Sequence, residues 1–480
     1  MKKVAIVGSG VSGLSAAWLL SLNKKDFKVT VFEADDYPGG HAHTVDIQSL
    51  DLKETIGVDT GFIVCNNVTY PNFLNLLDQL NVNLIDSDMS FAVSRNNGEL
   101  EWAGKNLNTI FGQRSNLLNH DMWKLIQEVI QFNNQATKIA QEADQLPPNQ
   151  HPLANMTLKD FLSDFKYSKF FYENYLLPMT AAIWSTPAET TFDLFPLVTL
   201  VQFMNNHQLL QVLNRPKWKT LQFGSRSYVN KIVETLDDLR LNEPVISIKR
   251  RHNGVLVETK NGVEEFDSII MATHTDQSLQ ILGDDATADE KKILGSIKYV
   301  LNRAYLHRDV ALMPKLKLTW SSWNYLTNVK DEIVSRVMCL TYWMNNLQPF
   351  VDPKVFGHVF VTMNPLTKPD PALTLGAWDY THPLYSPETI QAQNELPKIQ
   401  NVKNTVFAGA WTNYGFHEDG ATSGLLAAQS LGAKSPFPIV TNGGFPKANH
   451  TKTTSNLMGY LSMTLVISFV VVVVSTLQAI

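Results

Sequence analysis

The chain has 480 residues, of which 44% are hydrophobic and 18% are charged, and its formal net charge is -5. This composition is typical of a globular protein long enough for two or three substructures with sizeable cores. The acidic balance and the lack of a lysine- or arginine-rich run exclude nucleic acid as a partner, and two distant cysteines, Cys65 and Cys339, indicate a reducing compartment without a disulfide framework.

The first predicted element is a buried parallel strand at residues 4–7, which leads directly into a glycine-rich turn. The turn Gly8-Ser9-Gly10-Val11-Ser12-Gly13 has the spacing G-x-G-x-x-G, and a helix is predicted over residues 14–22. In this arrangement Gly8 permits the tight turn, Gly10 lets the backbone approach a pyrophosphate, and Gly13 lets the helix pack closely on the strand. The N–H groups at the helix N-terminus, those of Val11 and Ser12 among them, would face the anion.

A second strand is predicted over residues 28–32, and Glu33 follows it, twenty residues after Gly13. A carboxylate at this distance is placed to accept hydrogen bonds from a ribose 2′-OH, and it disfavours a 2′-phosphate. Strand, turn, helix and acidic residue together predict a dinucleotide-binding site. The alternative is a glycine-rich turn that binds no ligand.

The rest of the chain combines helices with several groups of strands. Helices are predicted at residues 70–80, 115–144, 158–165, 178–184, 192–213, 228–236 and 422–431, and strands at residues 245–250, 255–259, 267–272, 299–307, 316–323, 334–342, 355–363 and 404–408. The four strands between residues 299 and 363 suggest an antiparallel sheet. Since ligands of parallel sheets bind outside the carboxyl ends of the strands, the turn at residues 8–13, Thr273 and Gly409 are expected at one crevice.

The C-terminal end has the pattern of a membrane anchor. No charged side chain follows Lys452, and residues 457–477 are almost wholly apolar, which is long enough to cross a bilayer core. A polar linker precedes this run, and Lys447 and Lys452 lie on its N-terminal side. We therefore predict a single-pass C-terminal membrane anchor, with the body of the protein facing the cytosol. The alternative is a buried core element.

Three separated blocks resemble the flavin-containing amine oxidase superfamily. They are residues 4–33, the loop Gly39-Gly40-His41, and residues 407–420, which include Gly409-Ala410-Trp411 and Glu418-Asp419-Gly420. Within that superfamily the chain is similar to a branch of predicted FAD-binding proteins associated with cyclopropane fatty acid synthase, and the resemblance covers about residues 3–432. It implies FAD as the cofactor. Lacking a Cys-His dipeptide near Cys65, the chain is expected to bind FAD non-covalently.

The resemblance implies an α/β fold with a discontinuous, Rossmann-like FAD-binding domain and an α+β substrate domain, to which the C-terminal transmembrane helix is added. The predicted bounds are 1–95, 215–285 and 400–433 for the FAD-binding domain, 96–214 and 286–399 for the substrate domain, 434–455 for the linker and 456–478 for the anchor.

The resemblance also implies roles for individual residues. Gly8, Gly10 and Gly13 would hold the pyrophosphate, Glu33 the adenosine ribose, and Val245 the adenine through its backbone. The remaining cofactor-binding residues would line the flavin and its ribityl chain: Gly39, Gly40, His41, Thr273, Gly409, Glu418, Asp419 and Gly420. Many amine oxidases have arginine or lysine after the glycine pair, where this chain has His41.

The catalytic residues stay open at this level. His417 is a candidate acid or base, or a histidine packed under the flavin, and Tyr342, Trp343, Trp411 and Tyr414 could form an aromatic cage or belong to the core. His41 and His43 have the spacing of a metal pair, but no third ligand lies nearby in sequence, so we expect loop histidines and no metal.

A second G-x-G-x-x-G sequence is missing from residues 100–400, which disfavours a reductase fed by a nicotinamide cofactor. We predict an FAD-dependent oxidoreductase that takes hydride from an apolar, lipid or fatty-acyl, small molecule. The alternatives are an amine oxidase that forms hydrogen peroxide, a non-redox isomerase of fatty-acid double bonds, and a flavoprotein without activity of its own.

Overall fold

A computed structural model describes residues 1–146, 150–184, 196–211, 216–328 and 338–441. The helices are α1 (Val11–Ser21), α2 (Pro71–Gln79), α3 (Leu107–Ile110), α4 (His120–Ala143), α5 (Leu158–Asp164), α6 (Lys169–Phe171), α7 (Leu177–Trp184), α8 (Leu197–Asn206), α9 (Arg226–Val233), α10 (Thr275–Leu282), α11 (Ala288–Gly295), α12 (Met344–Leu347), α13 (Pro353–Phe356), α14 (Pro387–Glu395) and α15 (His417–Ser430).

The strands are β1 (Lys2–Val7), β2 (Phe27–Phe32), β3 (Thr44–Gln48), β4 (Thr55–Asp59), β5 (Cys65–Asn66), β6 (Leu84–Asp86), β7 (Phe91–Arg95), β8 (Leu100–Ala103), β9 (Trp218–Leu221), β10 (Leu239–Arg240), β11 (Val245–Arg251), β12 (Gly254–Thr259), β13 (Gly262–Phe266), β14 (Ser268–Met271), β15 (Tyr299–His307), β16 (Trp323–Thr327), β17 (Cys339–Trp343), β18 (Phe360–Met363), β19 (Thr374–Pro383) and β20 (Thr405–Phe407). These helices and strands give a mixed α/β fold.

A five-stranded parallel sheet has the N-terminal strand at its centre, in the order β10-β2-β1-β14-β20. Residues 4–7 of β1 are buried on both faces, which explains why the strand reads as a continuous apolar run. The five strands come from the beginning, the middle and the late part of the chain. Their carboxyl ends bring the turn after β1, Thr273 after β14 and Gly409 after β20 to one edge of the sheet.

Helices α1 and α15 pack against each other at very short range. Gly424 of α15 lies so close to α1 that a Cβ atom there would stand 2.0 Å from the carbonyl oxygen of Ser12. Gly420, one turn earlier, would place a Cβ 2.6 Å from Cγ1 of Val11. The last helix of the fold therefore rests directly on the N-terminus of the first one.

A seven-stranded sheet forms the second layer, in the order β19-β15-β18-β17-β16-β7-β8. Its pairings are antiparallel except for β16 with β7. The predicted strand at residues 316–323 is wrong, because Lys317–Thr319 forms a short 3₁₀ turn and β16 begins only at Trp323. Strand β19, at the edge of the sheet, was not predicted, and two of its rings, Tyr380 and His382, pack against His41 in the second glycine loop.

Helices α4 and α8 pack against each other and close the large core that this sheet shares. The hydrophobic residues of α4 recur at helical spacing, and Met122, Phe132 and Ala136 are fully buried. The predicted α-rich insert is therefore partly present as α7 and α8. Residues 207–210 of the predicted helix form turns instead, and residues 185–195 and 212–213 lie outside the described residues.

The membrane prediction needs correction. In the part of the chain that the structure describes, no helix is long and apolar enough to cross a bilayer. Residues 456–478, where we predicted the anchor, lie outside the described ranges, as does most of the predicted linker at residues 434–455. The fold class of the described residues is accordingly mixed α/β, and the predicted transmembrane helix and location in a membrane are withdrawn. The bounds of the two domains stay a prediction.

Candidate functional site

The turn after β1 is built so that only glycine fits at two of its positions. Gly8 has φ of 97°, and a Cβ there would lie 2.7 Å from the carbonyl oxygen of Ala272. A Cβ on Gly13 would lie 1.9 Å from the carbonyl oxygen of Gly8. At Gly10, in contrast, no described atom lies within 4 Å of the Cβ position. The turn therefore packs tightly against the protein at Gly8 and Gly13, and it leaves space for a bound group only at Gly10.

The N-terminus of α1 is free to receive an anion. Gly10 provides no side-chain cap, and the first turn, which includes Val11 and Ser12, carries no acidic residue. The backbone N–H groups of a first helical turn have no partner within the helix and carry a partial positive charge. Open backbone at Gly10 followed by these N–H groups is an arrangement that fits a pyrophosphate.

Glu33 is held in place at the end of β2. Its carboxylate accepts hydrogen bonds from the Ser9 N–H, at 2.8 Å, and from the Ser9 hydroxyl, at 2.5 Å. The N–H of Asp35 donates to the other carboxylate oxygen at 3.0 Å. The group is thus fixed beside the glycine turn, as a residue that binds a ribose would need to be. Val245 is buried at the start of β11. Two residues before it, the Glu243 N–H donates to the carbonyl oxygen of Glu33 at 2.8 Å.

The second glycine loop packs directly on the first. Gly39 and Gly40 have φ of 122° and 57°, which favours glycine at both positions. The Gly39 N–H donates to the Ser9 carbonyl at 3.0 Å, and a Cβ on Gly40 would lie 3.2 Å from Cα of Gly10. His41 therefore follows immediately after the point where the two glycine loops meet.

His41 lies in a cluster of buried and partly buried rings that the sequence did not predict. Its ring centroid is 5.1 Å from that of Tyr380, 5.3 Å from His382 and 6.2 Å from His274. Tyr380 and His382 come from the edge strand β19, and His274 follows β14. The alternation of Tyr380 and His382, with Trp378 before them, is the period-two signal that could have revealed this strand.

The histidines of this cluster are uncharged near neutral pH. Burial holds the pKa of His41 well below its ordinary value, and the neighbouring His382 and His274 act in the same direction. Burial lowers the pKa of His382 to about 4, and it also lowers the pKa of His274. His43 has a lowered pKa for the same reason. Among the described residues no group of three or more His, Cys, Asp or Glu side chains could hold a metal ion.

The carboxyl ends of β14 and β20 are tied together by Trp411. Its indole N–H donates to the carbonyl oxygen of Thr273 at 3.2 Å, and the side chain is 2% exposed. Gly409 is required beside it, since a Cβ at Gly409 would lie 2.2 Å from the indole nitrogen. Trp411 thus packs in the core beneath the crevice.

The start of α15 places three predicted residues in structural roles. His417 stacks on Phe62 at 3.7 Å, its Nε2 lies 2.9 Å from the Tyr228 hydroxyl, and burial lowers its pKa to about 3. Glu418 accepts the N–H groups of Asn72 and Phe73 at 2.9 and 2.8 Å, which caps helix α2. Burial raises the Glu418 pKa to about 8, although these hydrogen bonds act against the shift.

Asp419 closes the loop that precedes the same helix. It accepts hydrogen bonds from the N–H of Phe416, at 2.8 Å, and from the side-chain amide of Asn413, at 2.7 Å. Burial raises its pKa to about 7, and the hydrogen bonds lower it. Gly420 follows, against Val11 of α1, so the N-termini of α1 and α15 lie side by side.

The four aromatic residues considered as a cage contact different neighbours. Tyr342 packs on Trp323, with 5.0 Å between ring centroids, and Trp343 packs on Trp320 at 5.6 Å. Tyr414 lies 5.1 Å from Phe203 of α8, and Trp411 belongs to the core beneath the parallel sheet. The rings of Tyr37 and His43 stack beside the second glycine loop, with the Tyr380 hydroxyl 2.9 Å from Nδ1 of His43, and sequence reasoning did not foresee this grouping.

Comparison with known proteins identifies relatives of this arrangement. Residues 11–300 match the family described as flavin containing amine oxidoreductase. The flavin-containing amine oxidase A of Canis lupus familiaris is 24% identical over 269 residues, which cover 54% of this chain and 47% of that protein. The 1-hydroxycarotenoid 3,4-desaturase of Flavobacterium sp. (strain P99-3) is 51% identical over 47 residues, or 10% of this chain and 9% of that protein. The chain thus spans about half the length of the amine oxidase, and far less of the desaturase.

Solved structures with the same fold cover nearly the whole chain. A fatty acid isomerase from P. acnes that produces CLA has 15% sequence identity and a TM-score of 0.62, over 89% of this chain and 98% of its own. Cyclohexylamine oxidase from Brevibacterium oxydans IH-35A has 14% identity and a TM-score of 0.64, over 90% and 98% of the two chains. At these identities the likeness concerns the fold.

Proposed function

The chain belongs to the family of flavin containing amine oxidoreductases, and from this premise we propose that it is an FAD-dependent oxidoreductase acting on an uncharged, apolar small molecule. The resemblance stated from the sequence is confirmed by this membership, which also implies a flavin cofactor. The substrate and the reaction of this particular chain are the proposal.

In this proposal the two glycine loops and Glu33 hold FAD non-covalently. Gly10 and the first turn of α1 bind the pyrophosphate, and Glu33 binds the adenosine ribose. Near its N-terminus, α15 packs against α1 through Gly420, which brings the two helix starts to the same crevice. Bound FAD supplies an acceptor for a hydride from the substrate. The chain itself orients the substrate and excludes water from the crevice.

The observation that carries the choice of substrate is that the buried carboxylates around the crevice already have partners. Glu33 binds Ser9, Glu418 binds the start of α2, and Asp419 binds the loop before α15. Asp59 accepts hydrogen bonds from Thr44, Ser225 and Gln348. An ammonium substrate needs a carboxylate or an aromatic cage to offset its desolvation. The neighbouring histidines are neutral, so the surroundings favour a substrate without charge.

The experiment uses the full chain, purified with its flavin, under anaerobic conditions. Long-chain fatty acids and their acyl esters, saturated and unsaturated, are added separately, and the flavin absorbance is followed. We expect bleaching of the oxidised flavin by an acyl compound and none by primary or secondary amines. A protein that binds no flavin would overturn the whole proposal, and bleaching by amines alone would overturn the choice of substrate.

Oxidation of amines is the second candidate, and the match to amine oxidase A supports it. It would form hydrogen peroxide and a carbonyl product in air. The same experiment with unsaturated fatty acids also distinguishes isomerisation from oxidation. Conversion of an unsaturated fatty acid to a positional isomer of the same mass, without lasting bleaching of the flavin, would replace oxidation by isomerisation.

A further inference from the structure

A line of side-chain hydrogen bonds crosses three neighbouring strands of the seven-stranded sheet and ends on His382. Asn364 follows β18, Asn302 lies on β15, and His382 lies on the edge strand β19. The side chain of Asn302 is fully buried, 2.6 Å from that of Asn364 and 2.9 Å from Nδ1 of His382. The line begins at the backbone N–H of Arg303, which is 2.9 Å from the side chain of Asn364.

The direction of every hydrogen bond in this line follows from its first donor. A backbone N–H can only donate, so the Arg303 N–H binds the oxygen Oδ1 of Asn364. The NH₂ group of that amide then donates to Oδ1 of Asn302. The NH₂ group of Asn302 in turn faces Nδ1 of His382, and it can only donate. Nδ1 is therefore the acceptor, and the single proton of the neutral ring is on Nε2.

The ring of His382 stays neutral for two reasons. Burial lowers its pKa to about 4, and the neighbouring His274 acts in the same direction. A second proton would also have to sit on Nδ1, where it would face the NH₂ group of Asn302, itself a donor. Within the described ranges, Nε2 of His382 has no hydrogen-bond partner and, unlike Nε2 of His41, it is not fully enclosed by the protein. At neutral pH His382 thus offers one free N–H donor.

The end of β19 lies between two loops that border the crevice. The ring of His382 is 5.3 Å from that of His41, which follows the glycine pair of the second loop. On the other side, the strand meets the loop before α15, since a Cβ on Gly415 would lie 3.3 Å from Cγ of Pro383 and 2.9 Å from the Tyr385 hydroxyl. The seven-stranded sheet therefore brings the donor of His382 to the crevice at which the strands of the parallel sheet end.

A fixed N–H donor distinguishes substrates by their acceptor atoms. An ammonium group offers only donors and a positive charge, whereas an ester offers a carbonyl oxygen as an acceptor and no donor. We propose that Nε2 of His382 donates a hydrogen bond to the carbonyl oxygen of an acyl ester bound in the crevice, and that Asn302 and Asn364 are positioning residues that fix the tautomer. The inference rests on the proposed function, and it names the polar group of the substrate.

The binding experiment compares two ligands that differ in the carbonyl group. The full chain with its flavin is titrated anaerobically with methyl oleate or with cis-9-octadecene, and the change in the flavin spectrum gives the dissociation constant. His382→Leu has no donor, whereas the amide of His382→Gln carries an NH₂ group at about the position of Nε2. We expect His382→Leu to bind the ester roughly fivefold to tenfold more weakly, and His382→Gln to bind it within about twofold of the wild type. Binding of the hydrocarbon should be unchanged in both variants.

Three results would overturn the inference and leave the proposed function intact. Equal weakening of both ligands in His382→Leu would reduce His382 to a packing role. Loss of FAD from that variant, measured as the ratio of flavin to protein after gel filtration, would mean that the cofactor takes the donor. The third is a wild type that does not bind methyl oleate. The proposed function fails on its own criterion, which is bleaching of the flavin by amines alone.

A second measurement reports the tautomer directly and separates positioning from packing. The ¹⁵N chemical shifts of the His382 ring are recorded by NMR in the wild type and in Asn302→Leu, and the His382→Gln spectrum assigns them. We expect a neutral ring protonated at Nε2 in the wild type, and a mixture of both tautomers in Asn302→Leu, which has lost the donor to Nδ1. A wild-type ring protonated at Nδ1, or a tautomer unchanged in Asn302→Leu, would contradict the inference. The wild-type spectrum decides the tautomer even where Asn302→Leu does not fold.

Discussion

The hydroxyl of Tyr380 lies 2.9 Å from Nδ1 of His43, where the edge of the seven-stranded sheet meets the second glycine loop. The same hydroxyl lies 2.7 Å from the Thr60 hydroxyl, and Thr60 is also 3.0 Å from His43. All three groups have little exposure to solvent, and because Nδ1 can donate or accept only one hydrogen bond, at most two of these three contacts are full hydrogen bonds at the same time. The loop that follows the nucleotide turn is therefore attached to strand β19 through side chains.

Tyr380→Phe removes two of these contacts and keeps the ring. We expect the free energy of unfolding to fall by about 1–3 kcal/mol, because His43 and Thr60 lose a partner in a buried setting. Urea denaturation measures the change. Tyr305→Phe, on the paired strand β15 and half-buried, serves as a control with an expected effect below about 0.5 kcal/mol. Equal losses in the two variants would contradict a special role for Tyr380.

Gly424→Ala tests the contact between α15 and α1. The added methyl group would stand 2.0 Å from the Ser12 carbonyl, so the helices must separate, and we expect a loss of about 3 kcal/mol in unfolding free energy. Gly295→Ala, in α11, is the matched control, since the nearest atom to its Cβ position is 3.8 Å away. Replacing that helical glycine should stabilise the protein by up to about 1 kcal/mol. A mild effect at Gly424 would mean that the two helices adjust easily.

His417→Gln tests how burial affects stability at acidic pH. Burial lowers the His417 pKa from 6.5 to about 3, so the unfolded chain takes up a proton below pH 6.5 that the folded chain refuses. The contribution of a neutral His417 is complete above pH 6.5 and is lost as the pH falls towards 3. Between pH 7 and 4.5 we expect the stability advantage of the wild type over His417→Gln to shrink by roughly 2–3 kcal/mol.

The measurement for this prediction is urea denaturation of both proteins at pH 7 and 4.5. His120→Gln provides the control, because the side chain of His120 is 89% exposed and carries no burial penalty. An advantage of the wild type that stays constant with pH would show that His417 is protonated equally in both states.

Glu290→Gln tests a buried ion pair behind the parallel sheet. Glu290 and Arg250 are fully buried, with Nη1 and Oε1 2.5 Å apart, and Asp285 also binds the guanidinium. Removing one charge leaves the guanidinium partly uncompensated, and we expect a loss of about 3–5 kcal/mol. Asp379→Asn removes the exposed partner of Arg303, and its expected cost is below about 1 kcal/mol. Thermal or urea unfolding of both variants measures the contrast.

Local spacing reveals the strand, the glycine turn and the helix that follows it, but it does not show which side chains of the crevice already have partners. Gly8, Gly13 and Glu33 are recognisable because their roles depend on neighbours close in sequence, a strand before them and a helix after them. Trp411 and His417 looked like candidates for catalysis, and the structure places both in packed surroundings, under Thr273 and against Phe62. Whether a long-range partner occupies a side chain is invisible in a one-dimensional pattern.

Strand β19 is an element that the local sequence pattern did not reveal. Residues 374–383 lack the continuous apolar run of a central strand, because this strand lies at a sheet edge and is only half-buried. Sequence reasoning passed over it, and with it Tyr380, Thr381 and His382. The predicted membrane anchor at residues 456–478 is withdrawn, because no helix in the described ranges is long and apolar enough to cross a bilayer.

The sequence by itself determined the mixed α/β class, the family and the strand–turn–helix around the first glycine loop, because glycine spacing and an acidic residue after a strand are short-range constraints on the backbone. Only the tertiary structure decided what surrounds His41. Its neighbours come from β19 and from the segment after β14, more than 200 residues away in the chain, and burial among them keeps its imidazole uncharged. Burial and hydrogen bonding between distant segments are properties of the packed chain, and the chemistry of this site depends on both.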